Sequence, residues 1–140
     1  MHHQLPPPWP FHLLFVSVGG VSLIGGAFTA RYLRQRDGWF ALHKKLALTG
    51  VASILVGVSV AVYMVTTYME TYFVKELHTY LGASVFTFVI LTPALGFAQL
   101  RSSDKRVRIA HRWSGRIIII LILIAIFAGV QMAAMVLSGG

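Results

Sequence analysis

The 140-residue chain contains no cysteine and only four acidic residues, and charged residues make up 11% of it. Without cysteine there can be no disulfide, no thiolate-bound zinc, no cysteine-ligated iron–sulfur cluster and no covalent cofactor attachment through C-x-x-C-H. A soluble globular domain carries about 25% charged residues, so the scarcity of charge argues against a water-soluble fold. Hydrophobic residues supply 56% of the chain and its mean hydropathy is +0.74, which indicates that lipid surrounds most of the surface.

Four nearly uncharged apolar segments predict four membrane-spanning helices. Each is close to the ~20 residues that cross a bilayer as helix, and the predicted spans cover about residues 11–33, 39–69, 74–100 and 106–137. Short connections make consecutive helices antiparallel. We therefore expect an all-α integral membrane protein, a four-helix up-down-up-down bundle that forms one transmembrane domain with the lipid bilayer as its surroundings.

Polar residues before three of the spans predict where the helices begin. Asp37 precedes the second span, Thr71 the third, and Ser103 and Asp104 the fourth. Short oxygen-bearing side chains at these positions accept a hydrogen bond from a free N–H of the first turn. We expect Asp37, Thr71 and either Ser103 or Asp104 to be the N-caps.

The basic residues are distributed very unequally between the loops. Eleven of the twelve lie between spans one and two or around the start of span four, and only Lys75 lies elsewhere. By the positive-inside rule both basic loops are cytoplasmic and both termini lie outside, and we expect the cytoplasmic membrane of a prokaryote. The net charge of +8 therefore reports orientation, and we expect no nucleic-acid partner.

Four of the six histidines lie near the N-terminal ends of four different predicted helices. Because consecutive helices alternate in direction, His12 shares a level with His78 at the outer face, and His43 shares a level with His111 at the inner face. The members of each pair are on diagonal helices, so both can point to a common axis. Single histidines at helix ends also serve as interfacial polar residues, but one per helix at two matched levels favours ligands.

Two imidazoles at each level, with no nearby carboxylate or thiolate, suit a planar macrocycle. Zinc or non-haem iron would be under-coordinated there, whereas haem supplies four nitrogens itself and needs two axial ligands. We therefore expect two non-covalent b-type haems, with one iron bound by His12 and His78 and the other by His43 and His111.

Glycines and cations near these histidines are further candidate cofactor contacts. Gly82 and Gly115 lie one helical turn after His78 and His111, where a large side chain would strike a bound ring, although close helix packing also explains glycine. Interfacial cations could neutralise the carboxylates of a haem, and a purely topological role explains them equally well. The inner-side candidates are Lys44, Lys45, Arg112 and Arg116.

Two histidine segments resemble signatures of the cytochrome b561 family. Residues 76–82, ELHTYLG, and 110–115, AHRWSG, resemble the family's LHSWLG and HRxxG motifs, and residues 39–44, WFALHK, and 11–14, FHLL, look like its other histidine helices. The resemblance covers about residues 11–137. Family members generally have six helices, and this chain resembles their central four, which carry two b-type haems. The resemblance implies transmembrane electron transfer, often from cytoplasmic ascorbate to an outer acceptor such as monodehydroascorbate or ferric iron.

Haem iron with two axial histidines has no open position, so we expect an oxidoreductase that only transfers electrons. Its donor would be ascorbate-like or a quinol on the cytoplasmic side, and donor and acceptor could be small molecules or proteins. A homodimer or a larger redox complex is compatible with this function. Two alternatives stay open: a haem-bearing membrane anchor subunit of a quinone-linked oxidoreductase complex, and a non-redox membrane protein that uses the histidines for metal ions or protons.

Overall fold

A computed structural model describes residues 5–69 and 76–138 of the chain. These residues form four long helices, α1 (Trp9–Tyr32), α2 (Trp39–Tyr68), α3 (Leu77–Arg101) and α4 (Lys105–Leu137), and contain no strand. Each helix is long and apolar enough to cross a membrane. The predicted all-α four-helix membrane bundle is confirmed. The predicted helix limits within the described residues differ from the observed ones by two residues at most, and the predicted start of the third span, residue 74, lies outside them.

One predicted N-cap is confirmed and one is wrong. Asp104 is the N-cap of α4, and its carboxylate accepts a hydrogen bond of 2.8 Å from the backbone N–H of Arg106. The prediction for α2 was wrong, because Gly38 and not Asp37 is the N-cap. Gly38 has a φ of 75°, a left-handed conformation that glycine adopts without a Cβ clash. Thr71, the predicted cap of the third helix, lies outside the described residues.

The four helices are arranged as two antiparallel hairpins. In the part of the chain that the structure describes, α1 packs closely along α2 and α3 along α4, the two hairpins touch each other much less, and the diagonal helices do not pack together. In the first hairpin, glycines let the backbones approach. A Cβ on Gly19 would lie 3.0 Å from the carbonyl oxygen of Gly50 and 2.7 Å from the side chain of Ile54. Small residues are used in this way between membrane helices.

A small apolar core fills the middle of the bundle. Ile54 and Val89 are fully buried and Ile122 is 2% exposed, so α2, α3 and α4 each contribute a branched side chain to one layer. Leu23 of α1 packs against this cluster. Many large apolar side chains elsewhere on the helices are exposed, as expected for surfaces that face lipid. A buried apolar layer therefore lies between the two ends of the bundle.

Candidate functional site

The predicted outer histidine pair comes together between α1 and α3. The ring centres of His12 and His78 lie 6.0 Å apart, and the ring planes are nearly perpendicular at 88°. Two metal–imidazole bonds of about 2 Å each, with roughly 1 Å from each ring centre to its nitrogen, also require about 6 Å between ring centres. The spacing is compatible with two imidazoles that share one metal ion, and it is also the spacing of an ordinary edge-to-face ring contact.

The predicted inner pair lines a cavity between the hairpins. His43 of α2 and His111 of α4 both border this cavity, together with Lys44, Gly96 and Gln99. The cavity is open to the surroundings of the bundle. The structure thus brings together both histidine pairs that sequence reasoning matched by level.

Each of the four histidines is held by a backbone carbonyl on the other helix of its own hairpin. A carbonyl oxygen can only accept, so each Nδ1 carries the hydrogen and donates it. The Nε2 of the neutral ring is then the nitrogen left with a lone pair for a metal, as in histidine ligands fixed by a second hydrogen bond. The Nδ1–O distances are 2.8 Å for His12 and Gly57, 2.7 Å for His43 and Gly26, 2.9 Å for His78 and Ala125, and 3.0 Å for His111 and Thr92.

These hydrogen bonds reveal a repeat that all four helices share and that sequence analysis missed. On every helix, the carbonyl that accepts from the partner helix lies 14 residues after that helix's own histidine. At about 1.5 Å per residue this places the two histidine levels roughly 21 Å apart. The residues 11 positions after each histidine are those of the central apolar layer, Leu23, Ile54, Val89 and Ile122.

The predicted glycines and two further glycines have different surroundings. A Cβ added to Gly82 or Gly115 would meet nothing within 4 Å, so open space lies in front of both. Gly96 and Gly129 were not predicted as site residues, yet they lie directly against histidine rings, those of His111 and His78 respectively. They share the position 18 residues after a histidine, which an alignment of the four helices on their histidines would have revealed.

Of the four cations predicted at the inner site, only Lys44 lines the cavity. Lys45, Arg112 and Arg116 are exposed and are absent from its lining. The guanidinium of Arg116 lies 5.0 Å from the ring centre of Trp113, an arrangement typical of a cation–π contact. Gln99, which sequence reasoning missed, also lines the cavity and adds a side-chain amide to it.

The donor set suits a cofactor that brings most of its own ligands. Within residues 5–69 and 76–138 no group of three or more His, Cys, Asp or Glu side chains comes together, so a bare metal ion would lack ligands there. Haem needs only the two axial imidazoles that each pair supplies. At the inner level the buried hydroxyl of Thr92 has no hydrogen-bond partner in the described part of the chain, although such groups are normally satisfied. The residues therefore fit haem at both levels, and their role as ligands stays a prediction.

A scan of protein-family models, a search of curated proteins and a search of solved structures each found no match to this chain. The resemblance to cytochromes b561 therefore stays a prediction from the histidine motifs. The arrangement of the histidines carries the functional argument.

Proposed function

We propose that this membrane protein transfers electrons across the bilayer by means of two b-type haems, each bound by two histidines. One observation carries the proposal. Two histidine pairs lie at two levels, every Nδ1 is engaged by a backbone carbonyl, and each pair joins one helix of the first hairpin to one helix of the second. Helix packing alone does not require four imidazoles that are each oriented by a hydrogen bond at Nδ1.

The chain's own residues bind the cofactor and fix its orientation. His12 and His78 would hold the outer haem, and His43 and His111 the inner one. When bound, a haem with two axial histidines supplies one-electron exchange without an open coordination position. Lys44 is the cation that the inner cavity offers to an anionic cofactor edge, and Gln99 adds a hydrogen-bond donor to the lining of the same cavity.

The central apolar layer suits an electron carrier because it excludes water between the two levels. Ile54, Val89 and Ile122 are almost completely buried and carry no polar atom in their side chains. Water and hydrated protons are strongly disfavoured in such a layer. The bundle would therefore separate the aqueous phases while the two cofactor sites remain within roughly 21 Å of each other.

The charge distribution gives the proposed direction. The inner level lies beside both basic loops, which the positive-inside rule assigns to the cytoplasm, and both termini would lie outside. The donor, ascorbate-like or a quinol, would then act at the His43 and His111 end, and the acceptor at the His12 and His78 end. The resemblance to cytochromes b561 supports the same direction.

Spectroscopy of the purified full chain tests the proposal. We expect a reduced-minus-oxidised spectrum with b-type haem bands and, by pyridine haemochrome analysis, two haems per chain. As a control, the double variant His12→Ala/His43→Ala removes one ligand from each pair and should contain none. Wild-type protein without a haem absorption band would contradict the proposal and favour use of the histidines for metal ions or protons. A partner complex that co-purifies with haem-loaded protein would favour a membrane anchor subunit.

A further inference from the structure

We propose that Gly129 and Gly96 are ligand-positioning residues, each forming the surface against which a histidine ring of the neighbouring helix rests. Gly129 of α4 would position His78, and Gly96 of α3 would position His111. The inference rests on the proposed haem function and deepens it, because it identifies what sets the orientation of one ligand in each pair.

The distances leave no room for a methyl group at Gly129. A Cβ there would lie 2.8 Å from Cε1 and 3.0 Å from Nδ1 of His78. At Gly96 the contact is milder, with a Cβ 3.1 Å from Cε1 and 3.4 Å from Nδ1 of His111. Real carbon atoms do not approach as closely as the first contact requires, so the His78 ring or the helix would have to shift.

Each glycine works together with the carbonyl one helical turn before it. Ala125 accepts the hydrogen bond of His78 and Gly129 follows four residues later, while Thr92 and Gly96 have the same relationship to His111. Residues four apart lie on one face of a helix. The carbonyl and the glycine therefore form one socket for the histidine ring. The hydrogen bond fixes the position of the ring Nδ1, and the absence of a side chain at the glycine sets how closely the ring approaches the helix.

The first hairpin has alanine where the second has glycine. Gly57 accepts the hydrogen bond of His12 and Ala61 follows it by four residues, while Gly26 accepts that of His43 and Ala30 follows it by four residues. Alanine therefore occupies, in both helices of the first hairpin, the position that glycine occupies in the second. The requirement for glycine is specific to the α3–α4 hairpin, so one ligand of each haem, and not both, depends on it.

Alanine substitutions at the two glycines test this inference. Gly129→Ala should shift the electron paramagnetic resonance signal and the midpoint potential of the outer haem, or remove it and lower the content from two haems to one. Gly96→Ala should affect only the inner haem, and less strongly because its contact is milder. The matched control is Gly25→Ala, since a Cβ at Gly25 meets Leu46 at an ordinary distance of 3.5 Å. It should leave both haems unchanged.

Two results would overturn the inference. One is unchanged haem signals in both Gly129→Ala and Gly96→Ala, and the other is an equal change of both haems in either variant, which would indicate a general structural effect. The histidine rings provide a test that does not need haem. In haem-free protein, ring ¹⁵N resonances should show Nδ1–H at His78 in the wild type, and Gly129→Ala should change the His78 signals and not those of His111. If the wild type binds no haem, the proposed function fails while this measurement still decides on the glycines.

Discussion

The imidazole rings of His12 and His78 lie 6.0 Å apart with their planes nearly perpendicular. The two rings belong to α1 and α3, which do not pack against each other, and each is oriented by a carbonyl within its own hairpin, Gly57 for His12 and Ala125 for His78. The angle between the rings is therefore set by the two hairpins separately. Rings fixed in this way would be preorganised for the metal that we propose they share.

The perpendicular rings of His12 and His78 predict the magnetic properties of the haem that we propose for this pair. Ferric haem with two perpendicular imidazoles gives a highly anisotropic low-spin signal, because the two ligands do not favour the same iron orbital, whereas parallel imidazoles give a rhombic signal. We expect the highly anisotropic type from the outer haem in low-temperature electron paramagnetic resonance. His43→Ala protein, which should retain only the outer haem, isolates this signal. A rhombic spectrum from that variant would show that the rings rotate on binding.

Removal of one inner histidine should remove the inner haem alone. His43→Ala and His111→Ala each delete one proposed ligand of the same cofactor and leave the outer pair intact. Pyridine haemochrome analysis should fall from two haems per chain to one in either variant, with one redox transition left in a potentiometric titration. His78→Ala is the complementary control and should leave the other transition. Loss of both haems from variants that remain well folded would contradict the pairing.

The spans and the levels of the histidines could be predicted because they depend on side chains. Apolar runs mark the helices, and the alternation of helix direction places His12 level with His78 and His43 level with His111. Asp37 was a wrong prediction because the sequence preference for a capping side chain competed with the left-handed turn that Gly38 makes possible.

The carbonyl groups that accept hydrogen bonds from the histidines could not be predicted from residue types. A helical carbonyl is the same chemical group whatever its side chain, and the four acceptors belong to glycine, threonine and alanine. Which carbonyl faces a histidine depends on the register between two helices, which close contacts such as that of Gly19 with Gly50 determine. Gly96 and Gly129 were visible as glycines, but their neighbours became known only from that register.

The proposed haems should also hold the two hairpins together. The hydrogen bonds from His12, His43, His78 and His111 to carbonyls each lie within a hairpin, whereas each proposed ligand pair joins α1–α2 to α3–α4. The hairpins have few contacts with each other, so two shared cofactors would supply much of their connection. We expect the distance between hairpins to become broadly distributed when haem is absent, while distances within a hairpin stay narrow.

Spin-label distances can measure this because the chain has no native cysteine. Exposed positions on three helices serve for labelling: Val21 on α1, Val56 on α2 and Ile90 on α3. The pair Val21→Cys/Ile90→Cys reports across the hairpins, and Val21→Cys/Val56→Cys is the control within one hairpin. Haem-free protein should broaden only the first distribution. Equally narrow distributions with and without haem would show that the protein contacts alone join the hairpins.

The inner level should react preferentially with small anionic reductants, because Lys44 lines the cavity of His43 and His111 and both basic loops lie at that end of the bundle. Lys44 and Lys45 provide a matched pair of variants: each replacement by Gln removes one positive charge, but only Lys44 lines the cavity. Two unit charges about 4 Å apart in water interact by roughly 1 kcal/mol, so Lys44→Gln should slow reduction by about fivefold, and Lys45→Gln should have a smaller effect.

The measurement is the rate of haem reduction by ascorbate added to one face of oriented vesicles at a time. Interactions with partly exposed charges weaken as salt shortens the Debye length to about 8 Å near physiological ionic strength, so wild-type reduction from the inner face should slow as salt is added. Lys44→Gln should reduce that salt dependence more than Lys45→Gln does. Equal rates from both faces, without salt dependence at the inner face, would leave the basic residues with a role in membrane topology alone, because a field that attracts anions must act on one side and must be screened by ions.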